Sequence, residues 1–92
     1  MGSPSALKLA TALDFRAAAP LRNELLALRG NAVEIDGGEV ERIGAQCVQV
    51  LVSAARTWAD DGVAFAIVRR SEEMVSALRY MGVHAEEEAE HG

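Results

Sequence analysis

Residues 32–59 read AVEIDGGEVERIGAQCVQVLVSAARTWA, and their pattern decides the fold. Ala32 to Ile35 is short and apolar apart from Glu34, with β-branched Val33 and Ile35, which predicts a central strand. Asp36, Gly37 and Gly38 then form a loop with two permissive residues in a row. From Ala45 to Ala59 the apolar residues return at helical spacing: Val48, Leu51, Val52, Ala55, Trp58 and Ala59. Gln46, Gln49, Ser53, Arg56 and Asp60 mark the opposite, wet face. Asp60, Asp61 and Gly62 supply the stop. A strand, a polar loop and a long amphipathic helix thus form the unit that the other segments support.

Upstream, Ala6 to Thr11 alternates, with Leu7 and Leu9 on one face and Lys8 on the other. That predicts a half-buried strand, placed at an edge by its lysine. Leu13 to Leu28 is the first helix region, with Leu21, Leu25 and Leu28 in register and Asp14 as a cap. Pro20 confines the regular helix to a start only a few residues earlier. Gly30 and Asn31 end it. Downstream, the unbroken apolar run Val63 to Val68 predicts a strand covered on both faces. Ser71 is a good N-cap, followed by Glu72 and Glu73 and an apolar stripe of Val75, Leu78 and Met81. Gly82 ends that helix, and Val83 to Ala85 offers a further short strand. The order β-α-β-α-β-α implies a small single-domain α/β fold, a mostly parallel sheet with crossover helices. Residues 1–5 are expected to be a flexible N-terminus, 6–83 the domain, and 84–92 an acidic, disordered tail.

The composition narrows the function. The chain has 92 residues, half of them apolar, and a formal net charge of −5. Four of those charges are Glu86, Glu87, Glu88 and Glu90, so the remainder is nearly neutral. No basic stripe exists to displace counterions from phosphates, which argues against nucleic acid. The lone cysteine, Cys47, excludes an internal disulfide. No signal-peptide pattern and no bilayer-length apolar run is visible, so a cytoplasmic protein without direct membrane insertion is expected. With few aromatics, the core is expected to be aliphatic and alanine-rich.

Three segments resemble the STAS domain family, the small α/β modules of anti-sigma-factor antagonists and sulfate-transporter tails. They are LDFRAAAPLRNELLAL, VEIDGGEVERIGAQCVQVLVSAARTWADDG and FAIVRRSEEMVSALRYMGV, and they span most of the chain. The family's informative motif is Asp-Ser-Ser-Gly at the start of the second helix, whose first serine is the phosphoacceptor in antagonist-type members. Aligned through Val40 to Ile43, that motif falls on Gly44, Ala45, Gln46 and Cys47. The acceptor position is therefore Ala45, which has no hydroxyl. A phosphate there would have met free backbone N–H groups and added nearly two negative charges. The resemblance thus implies a non-catalytic member without the serine switch, closest to the chemotaxis-associated group.

What remains for a partner is the docking surface: Asp36, Gly37, Gly38, Glu39 and Glu41 in the loop, with Gln46, Gln49 and Ser53 on the helix. The plain alternative for the acidic loop is a solvated connection, weighed about equally; loops at the C-terminal ends of parallel strands often bind. Asp-Gly-Gly-Glu lacks the ligand set of a calcium loop, and no metal or cofactor is expected. Cys47 reads as a small buried side chain rather than a nucleophile. Trp58 reads as core. Arg69 and Arg70 read as a surface pair, and His84 and His91 lack ligand spacing. No nucleophile elbow, phosphate loop or dinucleotide fingerprint is present. The expectation is a bacterial signalling module binding a protein partner, a chemotaxis-type histidine kinase or an anti-sigma-type kinase. The alternatives are an accessory subunit on the ATPase of a lipid-transport ABC system, and a small-ligand or nucleotide sensor. A homodimer is left open.

Overall fold

Asp14 decides where the first helix begins. Its carboxylate accepts a hydrogen bond from the Arg16 amide at 2.9 Å and caps a 3-10 turn over Phe15–Ala17. The α-helix α1 follows, Ala18–Ala27. Pro20 is its third residue, where a backbone N–H would have no acceptor within the helix. Leu28 to Asn31 turns the chain, with Gly30 at a positive φ of 95°.

The computed structural model describes residues 3–80. The remaining elements are β1 (Ser5–Lys8), β2 (Ala12–Leu13), β3 (Val33–Gly37), β4 (Arg42–Ile43), α2 (Ala45–Asp61) and β5 (Phe65–Arg70). Residues 72–80 are helical and are called α3. Ser71 caps α3 as its sequence predicts, its hydroxyl accepting from the Met74 amide at 3.1 Å. The expectations for Met81, Gly82, the strand at 83–85, His84, His91 and the acidic tail lie outside the described residues.

The main sheet runs β1-β3-β5 and is parallel throughout. The predicted central strand and edge strand therefore stand where the alternation put them. Their boundaries move. β1 runs Ser5–Lys8 rather than Ala6 to Thr11, Asp36 and Gly37 belong to β3 rather than to the loop, and β5 runs Phe65–Arg70 rather than Val63 to Val68. The short parallel pair β2-β4 was not foreseen; two residues are too few for any period to show. It ties the entry to α1 to the entry to α2. The Thr11 carbonyl accepts from the amides of Glu41 at 2.7 Å and Arg42 at 3.0 Å, and the Leu13 carbonyl from Gly44 at 2.9 Å.

One expectation is overturned. Val63 to Val68 is not covered on both faces: Ala66 and Val68 are exposed. The strand order explains this. The chain advances β1, β3, β5 without reversing, so right-handed crossovers place α1 and α2 on the same face. Met74 of α3 packs over Gly37 on that face too. Among the described residues the outer face, with Ala6, Lys8, Glu34 and Ala66, stays open.

The core lies between the sheet and the helices. Val33 and Ile35 meet Leu21 and Leu25 of α1, Cys47, Leu51, Ala54 and Trp58 of α2, and Met74. The buried arc of α2 is rotated toward α1 relative to its predicted stripe. Val52 and Ala55 are only half-buried and Ala59 is exposed, while Cys47 and Ala54 are buried. Trp58 is core, as expected. Its indole N–H donates to the Asn31 carbonyl at 2.7 Å, and its ring lies 5.7 Å from that of Phe65.

Asp61, at the end of α2, receives Arg29 in a two-pronged ion pair, Nε to Oδ2 at 3.0 Å and Nη2 to Oδ1 at 3.2 Å. The Arg29 hydrogen bond holds the Asp61 carboxyl below its ordinary value. A depressed carboxylate pKa contributes stability above the unfolded value and loses it as pH falls through the folded one. Arg29→Gln should therefore melt slightly lower than the parent at neutral pH. The gap should close in acid, as the pH falls through the depressed Asp61 pKa and the carboxyl becomes protonated in both chains. Thermal melts across pH check this; a gap independent of pH would rule out the pair as its source.

Candidate functional site: a groove between the first two helices

The residues predicted to meet a partner fall into two groups. The first stands at the C-terminal end of the sheet. Asp36 accepts from the Gly38 amide at 3.0 Å and lies 3.8 Å from the Arg69 guanidinium. Glu39 pairs with Lys8 at 2.6 Å. That bond to Glu39 raises the Lys8 pKa. Gly37 is buried beneath Met74, and Gly38 lies against the Arg69 side chain. Val40 is a fully buried plug holding the loop down. The apparent acidic loop is thus partly neutralised by cations from β1 and β5, with Glu41 left exposed.

The second group starts where α2 starts. Gly44 is the N-cap, extended at φ −89° and ψ 164°, and offers no side chain to the helix. Ala45 and Gln46 are exposed at this end. Gln46, Gln49 and Ser53 face α1 across a groove of about 590 Å³. Phe15, Ala19, Arg22 and Leu26 form its other wall. Phe15 is 71% exposed and Leu26 49%. Phe15 also walls a second hollow of about 390 Å³, shared with Asp14, Arg42 and Ile43. The Arg16 guanidinium lies 5.8 Å from the Phe15 ring centre.

Phe15, Arg22 and Leu26 were missed. Leu26 gave a signal: it is apolar but stands off the Leu21–Leu25–Leu28 stripe, so it needed a second surface to cover it. Phe15 gave none, since a single aromatic next to a helix start is as consistent with core as with surface.

Cys47, one turn into α2, is fully buried. Its thiol donates to the Asp14 carbonyl at 3.3 Å, and burial pushes its pKa up. It is a packing residue, not an activated nucleophile. Among the described residues the groove is lined by amides, hydroxyls, apolar side chains and one guanidinium, with no carboxylate, imidazole or exposed thiol. Such a set recognises shape and hydrogen-bonding groups and offers nothing to shuttle a proton. Among the described residues the strand order does not reverse, so they provide no switch-point crevice of the kind open α/β sheets use for ligands. Among the described residues no cluster of three acidic, histidine or cysteine side chains could hold a metal. Among them, too, no helix is long and apolar enough to cross a membrane.

The described residues thus form a small parallel α/β domain with a surface groove between its first two helices. A family model described as "Mlab, STAS domain" matches residues 1–85, and the chain belongs to the STAS domain family. Comparison with curated proteins and with solved structures gave no match. STAS domains are in general regulatory and interaction modules.

Proposed function

We propose that this chain is a non-catalytic bacterial signalling module that binds a protein partner in the cytoplasm. The partner is a kinase of the chemotaxis histidine type or the anti-sigma type. One observation carries this reading: Gln46, Gln49 and Ser53 line a single groove beside two large apolar side chains held in solvent. Solvated apolar groups flanked by amides are what a partner desolvates when it docks. The Asp36–Glu41 segment forms a second contact area, from which Glu41 projects.

Ala45 sets the mode of control. It occupies the first turn of α2, where a phosphate would be welcomed by free N–H groups, but it cannot be phosphorylated. Control then comes from abundance or from competition between partners.

Affinity capture from native cytosol and membranes, read by mass spectrometry, tests the partner. A kinase supports this reading; an ABC-transporter ATPase recovered from the membrane fraction replaces it. The surface has its own test. Gln46→Glu combined with Gln49→Lys should weaken the captured complex by about tenfold or more. Unchanged affinity would remove this face from the interface.

A further inference from the structure

We infer that the groove between α1 and α2 takes an amphipathic α-helix of about three turns, apolar along one side and bearing an acidic residue that Arg22 receives. The inference rests on the reading of this chain as a binding module, and specifies what it binds.

The first argument is apolar surface. Leu21 and Leu25 of α1 are buried, yet Leu26 stands out in solvent on a different side of the same helix. A helix packed only against its own sheet has one apolar side; α1 has two.

The second is shape. Asp14 meets Cys47 where α1 and α2 begin, and Arg29 meets Asp61 where they end. The two helices therefore run side by side in the same direction. Ten residues of α1 span about 15 Å, or nearly three turns. Ala18, Ala19 and Ala54 line the groove, and such small residues let a third helix approach closely.

The third is backbone chemistry. The groove walls are helical, and beyond the first turn of each helix their amides are spent within α1 and α2. An extended peptide would find no strand edge there, and its own N–H and C=O groups would lose water without replacement. A helix arrives with its backbone bonds already made.

The fourth is charge. Among the described residues Arg22 is the one charged residue in the lining and has no ion-pair partner. A guanidinium at the edge of an apolar groove selects a carboxylate. A second copy laid groove to groove would offer Arg22 no carboxylate among the described lining residues.

The test is selection from a displayed library of helix-biased peptides of about 14 residues against the full chain. Enriched peptides should share apolar residues at i, i+3 or i+4, and i+7, with an Asp or Glu at one border. Leu26→Asp and Arg22→Glu, both at exposed positions and checked by unchanged circular dichroism, should each weaken binding about tenfold or more. Replacing the acid of the selected peptide by lysine should restore binding to Arg22→Glu. Failure to enrich this pattern, or binding indifferent to both variants, would overturn the inference. If binders instead lost affinity with Glu39→Lys and Glu41→Lys, the module reading would stand and only the helix-in-groove assignment would fall. A dimer in light scattering that Leu26→Asp splits would assign the groove to a second copy and also overturn it.

Discussion

Trp58→Ala should cost about 3–5 kcal/mol, the usual loss for emptying a large aromatic site in a core. The side chain is 2% exposed, and it is the largest in the core. Its removal opens a void between α2 and β5, where Phe65 loses its ring neighbour. It also strips the Asn31 carbonyl of its 2.7 Å donor. A domain of this size holds only about 5–15 kcal/mol in all, so the variant should be partly unfolded or close to it at ambient temperature. Urea titration followed by far-ultraviolet circular dichroism measures this without needing the tryptophan signal. Trp58→Phe separates the two contributions. It keeps most of the volume but not the donor, so about 1–2 kcal/mol is expected. A loss below about 1 kcal/mol for Trp58→Ala would contradict the burial itself.

The second large effect is at Gly37. On the central strand of a parallel sheet a β-branched residue would normally be preferred, yet the last position of β3 is glycine. A Cβ there would overlap the thioether of Met74, and would lie 3.2 Å from the Arg69 carbonyl oxygen. Met74 is itself completely buried, so it has little room to yield. Gly37→Ala should therefore cost about 1–3 kcal/mol through overpacking. Met74→Ala alone should cost about 2–5 kcal/mol through the cavity it leaves. Combined, the two should cost less than their sum, because each relieves the defect of the other; a coupling of about 0.5–3 kcal/mol is expected. Strict additivity in the double-mutant cycle would mean that the two side chains do not compete for one space.

The α/β class, the parallel order and the family were legible because they depend on periods that run for many residues. The helix at Ala45 and the strand at Val33 were legible for the same reason. The cap residues Asp14 and Ser71 were legible because the physics of a helix start is local. Other features were not. The run Val63 to Val68 looked like a doubly covered strand, but side-chain pattern cannot say on which side the crossovers fall; that follows from strand order. The ends of β3 and β5 were drawn short because Asp36, Gly37, Arg69 and Arg70 are poor strand formers, held there by register and by the Asp36–Arg69 pair. Among the predicted docking residues, sequence reasoning grouped Glu39 with Gln49 because they are near in the chain. In the folded chain Glu39 pairs with Lys8 while Gln49 faces α1. Phe15, which walls both hollows, came from a distant segment that only the tertiary fold brings to α2.

The ties between α1 and α2 have a consequence for recognition. The helices are joined at one end by the β2-β4 pair and the Cys47 thiol, and at the other by Arg29–Asp61 and the Trp58 indole on Asn31. Neither wall can swing away without breaking one of these ties, so the spacing between them is set before anything arrives. Binding there loses little freedom from the host. The entropy lost on association falls mainly on the guest, and a guest already helical in isolation should gain the most.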